Sequence, residues 1–138
     1  MRNPINFILI LLILASAATA QEQGIYFSKN QYTRTPLPVF SELKAKLPSP
    51  IYDQDSNMVK GYWKAWELAF KNFYEPTTEN GFVSQYIDAS FNANTFLWDG
   101  SFKTMFCNYA NPLVPGISTL DNFYAKHHAK GEICREIV

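Results

Sequence analysis

Cysteine and histidine are scarce in this chain, with two of each among 138 residues. They lack the CxxC or HxxxH spacing of a metal site, and no Asp-rich loop typical of a calcium site is present. The sequence has no run of like charge that would indicate nucleic acid or an anionic membrane as partner. It also has no internal repeat and no low-complexity tract. We therefore expect no cofactor and no nucleic-acid partner.

Residues 1–20 have the layout of a secretory signal peptide. Arg2 supplies the positive start, residues 7–15 form an apolar run, and Ala18 and Ala20 supply the small residues of a cleavage site before Gln21. The alternative is an uncleaved membrane anchor, but the run is shorter than the roughly 20 residues that cross a bilayer. We expect a periplasmic or secreted protein with no membrane association after cleavage.

Residues 21–138 are of ordinary length for one domain. Without Arg2, 11 of the 12 Lys and Arg residues remain against 12 Asp and Glu, so the charge is nearly balanced. The aromatic content of 16% is high, and aromatic rings serve both as core and as platforms for ligands. Cys107 and Cys134 either form a disulfide in an oxidising compartment or remain free thiols, and their spacing favours neither.

The residue pattern predicts several helices separated by long loops. Residues 21–56 form a proline-rich, extended lead-in. Helices are expected from Ser56 or Asn57 to Tyr74, from Ser101 to Ala110, and from a capping box at Ser118 to near Gly131. Residues 82–89 are expected to form a strand or an extended loop, and residues 132–138 the start of a strand. The first of these helices carries an apolar stripe at helical spacing, formed by Val59, Tyr62, Trp63, Trp66, Ala69, Phe70 and Phe73.

Asp99 is the first candidate for chemistry, because it stands between Trp98 and a glycine in a loop. Against an apolar ring, a carboxyl group loses water and becomes a usable general acid. The alternative is that Asp99 caps the helix that follows. Arg135 and Glu136 lie side by side in an apolar run, and we expect one of the two to face a core or a cleft.

The same residues carry a resemblance to a known family. The motifs are residues 66–70, 80–86, 96–102, 115–117 and 120–124, and Cys134-Arg135-Glu136-Ile137. Together they resemble the first part of the catalytic domain of bacterial mannosylglycerate hydrolase-like glycoside hydrolases, which are related to family 63 α-glucosidases and to trehalases. The similarity extends from about Val59 to Val138.

The resemblance implies a mainly α fold, the (α/α)6 toroid, in which six helical hairpins form a ring around a sugar-binding funnel. It implies inverting hydrolysis of an α-linked sugar, with Asp99 as general acid. Gly100 stands where the family more often has Thr or Ser. Candidate substrate-binding residues are Trp98, Tyr86 and Phe102 as stacking walls, and Gln85, Asp121, Asn122, Arg135 and Glu136 as hydrogen-bonding groups.

Inverting hydrolysis also needs a general base, about 6.5–9.5 Å from the acid. The resemblance implies that the base comes from the C-terminal part of the ring, so we expect these residues to be a fragment that is inactive and poorly folded alone. The partner is expected to be an oligosaccharide or glycoside. The rival interpretation is an exported, non-catalytic carbohydrate-binding or interaction module that uses the same aromatic side chains.

Overall fold

The computed structural model describes residues 32–88 and 93–138. The helices are α1 (Phe40–Leu43), continued by a 3-10 turn (Lys44–Lys46), α2 (Ser56–Phe70), α3 (Leu97–Asn108) and α4 (Ser118–Ala125). The strands are β1 (Phe73–Tyr74), β2 (Tyr86–Ile87), β3 (Thr95–Phe96) and β4 (Glu136–Ile137). They form two antiparallel pairs, β1 with β2 and β3 with β4. The prediction of helices with short strands between them is confirmed.

The predicted signal peptide lies outside the described residues. Within the two described ranges, no helix is both long and apolar enough to span a bilayer.

Helix α2 follows the predicted apolar stripe. Asp55, rather than Ser56 or Asn57, is the cap: its carboxylate accepts a hydrogen bond of 2.8 Å from the backbone N–H of Asn57. The helix ends at Phe70, four residues earlier than predicted, and the chain then enters β1. The predicted periodicity is therefore correct, whereas the cap is one residue earlier than predicted and the helix ends four residues earlier.

Trp66 lies at the centre of the main core. Its side chain is fully buried, and its ring centroid is 4.3 Å from that of Phe106 in α3 and 6.4 Å from that of Phe70. Other buried members of this core are Leu47, Ala69, Phe73, Ile87, Cys107, Ala110 and Val114. The core thus joins the lead-in, α2, the first strand pair and the end of α3.

Helix α3 buries small residues and exposes large ones. Its buried residues are Gly100, Thr104 and Cys107. The segment before α4 lies close to α3 at these small residues. The Thr104 hydroxyl donates to the carbonyl of Gly116. A Cβ added to Gly116 would lie 2.3 Å from the Cβ of Cys107. Of the large apolar side chains in and directly after this helix, Phe102, Met105 and Tyr109 are exposed, and Phe106 packs on the core.

Several predicted boundaries and orientations are wrong. Helix α3 begins at Leu97, so Ser101 is not its cap, and α4 ends at Ala125, well before Gly131. The capping box at Ser118 is absent, because the Ser118 hydroxyl donates to the distant carbonyl of Gln85. His127, which follows the end of α4, is buried.

Candidate functional site

A cleft of about 500 Å³ lies at the start of α3, beside the second strand pair. Its lining residues come from two parts of the chain: Phe96, Leu97, Trp98, Asp99, Ser101, Arg135 and Glu136. Four of the predicted site residues therefore meet in one place, namely Trp98, Asp99, Arg135 and Glu136.

Backbone pairing brings the two segments together. Phe96 in β3 lies opposite Glu136 in β4, and the backbone N–H of Leu97 donates to the carbonyl of Arg135 at 2.8 Å. Ile137, next in β4, is buried in a small core with Phe82 and Phe123. Because neighbouring residues of a strand alternate between faces, burial of Ile137 turns Glu136 toward the cleft.

Trp98 is the most prominent apolar surface of the cleft. Its side chain is 75% exposed, and Phe102 meets it edge to face at 5.3 Å between ring centroids. The first turn of α3 buries Gly100 instead, against Phe123 and Thr119. An indole ring that is exposed beside polar side chains forms a flat platform on which a ring-shaped ligand can stack.

Asp99 lies in the first turn of α3 and is exposed. The expected burial of its carboxyl group against an apolar ring is not seen. It is also not the helix cap, since it is the third residue of α3 and the residue before the helix is Phe96. A carboxylate at this position is favoured by the positive end of the helix dipole. The structure therefore presents Asp99 to the cleft as a solvated carboxyl group.

Arg135 and Glu136 both line the cleft, whereas only one of them was expected to face it. The side-chain amide of Asn94 donates a hydrogen bond to Oε1 of Glu136. Asn94 and Ser101 did not appear among the sequence-based candidates. The pairing of Asn94 with Glu136 bridges 42 residues, so no local pattern could indicate it. The lining combines two carboxylates and one guanidinium.

Gln85 and Tyr86 lie away from this cleft. The Gln85 amide donates to the Thr35 carbonyl and to the Tyr32 hydroxyl, and it lines a separate cavity of about 480 Å³ near Pro112. Tyr86 stacks on Tyr74 across the first strand pair, at 5.5 Å between centroids. Burial and the negative charge of Asp88 raise the pKa of the Tyr86 phenol.

Asn122 performs a structural task in the interior. Its side chain is 1% exposed, and its Oδ1 accepts hydrogen bonds from the backbone N–H groups of Val83, at 2.8 Å, and Ser84, at 3.1 Å. Its Nδ2 donates back to the Ser84 carbonyl. Asp121, its neighbour, is exposed on α4, where partial desolvation raises the pKa of its carboxyl group. Neither residue lines the Trp98 cleft.

Phe102 touches the cleft only through its contact with Trp98. Its own ring lines an apolar groove between α2 and α3, together with Leu68, Phe106 and Lys103. Lys103 crosses to the buried carboxylate of Asp88, with Nζ 2.7 Å from Oδ1. This part of α3 therefore belongs to the scaffold that orients Trp98.

Cys107 and Cys134 are free thiols in the structure, so the alternative of a disulfide is not realised. Cys107 is completely buried in the Trp66 core, whereas Cys134 packs against the Phe123 core. Burial raises the pKa of the Cys107 thiol to about 12. Neither thiol borders the cleft.

The described ranges contain no group of three His, Cys, Asp or Glu side chains arranged to hold a metal ion. Asp99 and Glu136 are the acidic groups of the cleft, with Arg135 beside them. Ligands that suit this lining are small polar rings with an apolar face.

No protein-family model, no curated protein and no solved structure matches this chain.

Proposed function

We propose that the Trp98 cleft binds a sugar ring and that Asp99 is the general acid of an inverting glycoside hydrolase that acts on an α-linked sugar. One observation carries the proposal: the exposed indole of Trp98 and the carboxyl groups of Asp99 and Glu136 line a single cleft. The motif resemblance is a separate support, because it points to the same two residues, Trp98 and Asp99.

The cleft has what recognition of a pyranose requires. The apolar C–H face of the sugar would pack on Trp98, and aromatic packing of this kind is worth about 0.5–1.5 kcal/mol beyond its buried area. Arg135 and Glu136 would hydrogen-bond the hydroxyl groups, and hydrogen bonds to charged groups are stronger than neutral ones. The cleft volume of about 500 Å³ lies within the usual range for sites that bind small ligands.

Asp99 would donate its proton to the glycosidic oxygen. A sugar that sits on Trp98 would displace water from the neighbouring carboxyl group, and loss of water favours the neutral, protonated form that an acid catalyst needs. The general base would be a second carboxylate, on the opposite face of the sugar. We follow the resemblance in assigning that base to a later part of the ring.

We further propose that these helices belong to an (α/α)6 ring. The supporting observation is the outer side of α3 and the residue that follows it, where Phe102, Met105 and Tyr109 are exposed at 55%, 66% and 79%. Neighbouring hairpins of a ring would cover such a surface. Export by the predicted signal peptide in residues 1–20 would place the protein among external or periplasmic glycans.

The test of sugar binding is a titration of the chain with maltose and with methyl α-mannopyranoside, followed by tryptophan fluorescence. We expect a saturable change that disappears in Trp98→Ala. Tyr109→Ala is the matched control, since Tyr109 is a similarly exposed aromatic residue directly after the same helix and outside the cleft. Equal responses of the wild type and both variants would show that Trp98 binds no sugar.

The second candidate function is a non-catalytic carbohydrate-binding module. The observation that favours it is the exposure of Asp99, whose carboxyl group is solvated like that of an ordinary surface residue. The two functions separate in a protein that carries both carboxylates of the ring. There, Asp99→Asn abolishes hydrolysis of 4-nitrophenyl α-glycosides and preserves sugar binding if Asp99 is the acid, whereas unchanged hydrolysis would exclude that role.

A further inference from the structure

We infer that Asp88 is a positioning residue for the Trp98 cleft, because its carboxylate joins β3 and α3 on either side of the segment that carries Trp98 and Asp99. The inference rests on the proposed sugar site and adds the contacts that orient its platform. Asp88 does not line the cleft, and its two partners here are Thr95 and Lys103. We call these three side chains the Asp88 network.

The two carboxylate oxygens of Asp88 bind to different elements. Oδ2 accepts a hydrogen bond of 3.1 Å from the hydroxyl of Thr95 in β3. Oδ1 lies 2.7 Å from Nζ of Lys103 in α3. The backbone N–H of Asp88 donates to the carbonyl of Asn72 at 2.9 Å, which holds Asp88 at the end of the first strand pair. One residue therefore connects the first strand pair, β3 and α3.

Burial makes these contacts more restrictive than contacts at the surface. Asp88 and Thr95 are buried, and the side chain of Lys103 is 18% exposed. A rotation of α3 that separated Lys103 from Asp88 would leave a buried carboxylate without this partner, and little water is present to replace it. An exposed ion pair such as Lys71 with Glu67 separates at little cost. The Asp88 network therefore resists movement of α3.

The Asp88 network flanks one wall of the cleft. The lining residues of that wall all lie between Thr95 and Lys103 in the chain: Phe96, Leu97, Trp98, Asp99 and Ser101. Asp99 precedes Lys103 by four residues, so the two lie on one side of α3, one turn apart. Contacts before and after the first turn of α3 limit its rotation, and with it the directions in which Trp98 and Asp99 leave the helix. A platform that is already oriented binds a ring without first having to be ordered.

Thr95→Val tests the network without removing a charge. Valine keeps the shape of threonine and lacks the hydroxyl that Asp88 accepts from. In the sugar-free, isotope-labelled chain, the heteronuclear NOE of the Trp98 indole N–H should fall, whereas that of Trp66 should stay constant. The affinity for maltose should fall about tenfold, as expected when the binding orientation is populated about a tenth of the time. Thr95→Ser keeps the hydroxyl and should restore both readouts.

Thr104→Val is the matched control. Thr104 is also buried, and its hydroxyl holds α3 to the carbonyl of Gly116 rather than to Asp88. This variant should lower the melting temperature and leave the Trp98 NOE and the maltose affinity unchanged. Equal changes of the NOE in Thr95→Val and Thr104→Val would show a general loosening of α3 and would overturn the inference.

Lys103→Met tests the other end of the network. Asp88 has interactions besides these two, so its partners are replaced rather than Asp88 itself. In folded Lys103→Met, the Trp98 NOE and the maltose affinity should fall as in Thr95→Val, and Lys103→Arg should restore part of both. Unchanged readouts in a folded variant would contradict the inference. Removal of one member of a buried ion pair is strongly destabilising, so the Thr95 variants decide alone if a thermal melt shows that Lys103→Met is unfolded.

The sugar-free NOE separates this inference from the proposed function. If the wild-type chain binds no maltose, the proposed sugar site fails, and the NOE of Thr95→Val still tests whether the Asp88 network orients Trp98. If maltose binds the wild type and Thr95→Val equally and the NOE is unchanged, the inference fails and the sugar site stands.

Discussion

Trp66 and Trp98 show how differently one residue type is used in this molecule. Trp66 is completely buried between α2 and α3, whereas Trp98 is 75% exposed at the start of α3. Trp66 belongs to an apolar stripe in which every third or fourth residue is large, so its neighbours form a pocket around it. Trp98 lies in the first turn of a helix whose buried residues are Gly100, Thr104 and Cys107, which leave no room for an indole inside. The neighbouring residues on each helix, rather than the tryptophan itself, determine whether the indole ring is buried in the core or exposed at the surface.

The two indoles also differ in their polar group. Among the described residues, Nε1 of Trp66 has no hydrogen-bond partner, and a buried N–H without one costs about 1–3 kcal/mol. Burial of the ring offsets this cost. Trp98 keeps its N–H at the surface, where water or a ligand hydroxyl can accept from it. We therefore assign stability to Trp66, and the role proposed for Trp98 is recognition.

The largest expected effect comes from Trp66→Ala. Loss of the buried ring should lower the free energy of unfolding by about 3–5 kcal/mol, which is sufficient to unfold many small domains. Trp66→Phe is the control: it shortens the side chain but also removes the unpaired N–H, so we expect a much smaller loss. Urea denaturation measures both variants. A loss below 1 kcal/mol for Trp66→Ala would contradict its place in the core.

Asn122→Ala should have the next largest effect. It leaves the backbone N–H groups of Val83 and Ser84 without their acceptor, which should cost about 2–4 kcal/mol. Asp121→Ala, at the exposed neighbouring position, should change stability by no more than about 0.5 kcal/mol. If the two substitutions have equal effects in urea, Asn122 is not the interior bridge that the structure shows.

The Trp66 core should also weaken at high pH. Burial raises the pKa of the Cys107 thiol from 9.0 to about 12, so the folded chain holds that proton more tightly than the unfolded chain. Its contribution to stability is complete below about pH 9 and is lost as the pH rises toward 12. Melting temperatures measured between pH 8 and 11 should fall less steeply for Cys107→Ala than for the wild type. Parallel curves would contradict this role of the thiol.

The smallest effect on stability is expected at Trp98. Trp98→Ala removes a mostly exposed side chain and should change the free energy of unfolding by about 0.5 kcal/mol or less. The same variant should lose sugar binding completely. Trp98→Ala should therefore lose sugar binding but keep its stability, whereas Trp66→Ala should lose both. A strongly destabilised Trp98→Ala would remove the distinction between the two tryptophans.

Part of this fold can be read from the sequence because it depends on local periodicity. The stripe of α2 spans four turns and predicts both the helix and its buried face. The start of α3 is missed because the two-residue strand Thr95–Phe96 leads directly into the helix, and a strand that short shows no period of its own. The start of α4 at Ser118 is predicted correctly, but its capping box is not formed, because the Ser118 hydroxyl bonds to Gln85, 33 residues away, rather than within its own turn.

The cleft residues likewise divide into those that local sequence motifs indicate and those that depend on contacts between distant residues. Trp98, Asp99, Arg135 and Glu136 were named from their motifs, and the structure brings all four together. Asn94 was missed because its hydrogen bond to Glu136 joins residues 42 positions apart. Asn122 was expected to hold substrate, but an amide with four hydrogen-bonding positions serves an interior turn equally well, and composition cannot distinguish the two uses.

The most direct test of the account follows the indole N–H signals of the tryptophans by NMR while maltose is added to the isotope-labelled chain. Trp98→Phe and Trp63→Phe assign the signals. The account predicts a saturable shift of the Trp98 signal and a constant Trp66 signal. A Trp98 signal that does not move, or a Trp66 signal that moves as far, would contradict the claim that the Trp98 cleft is the sugar site.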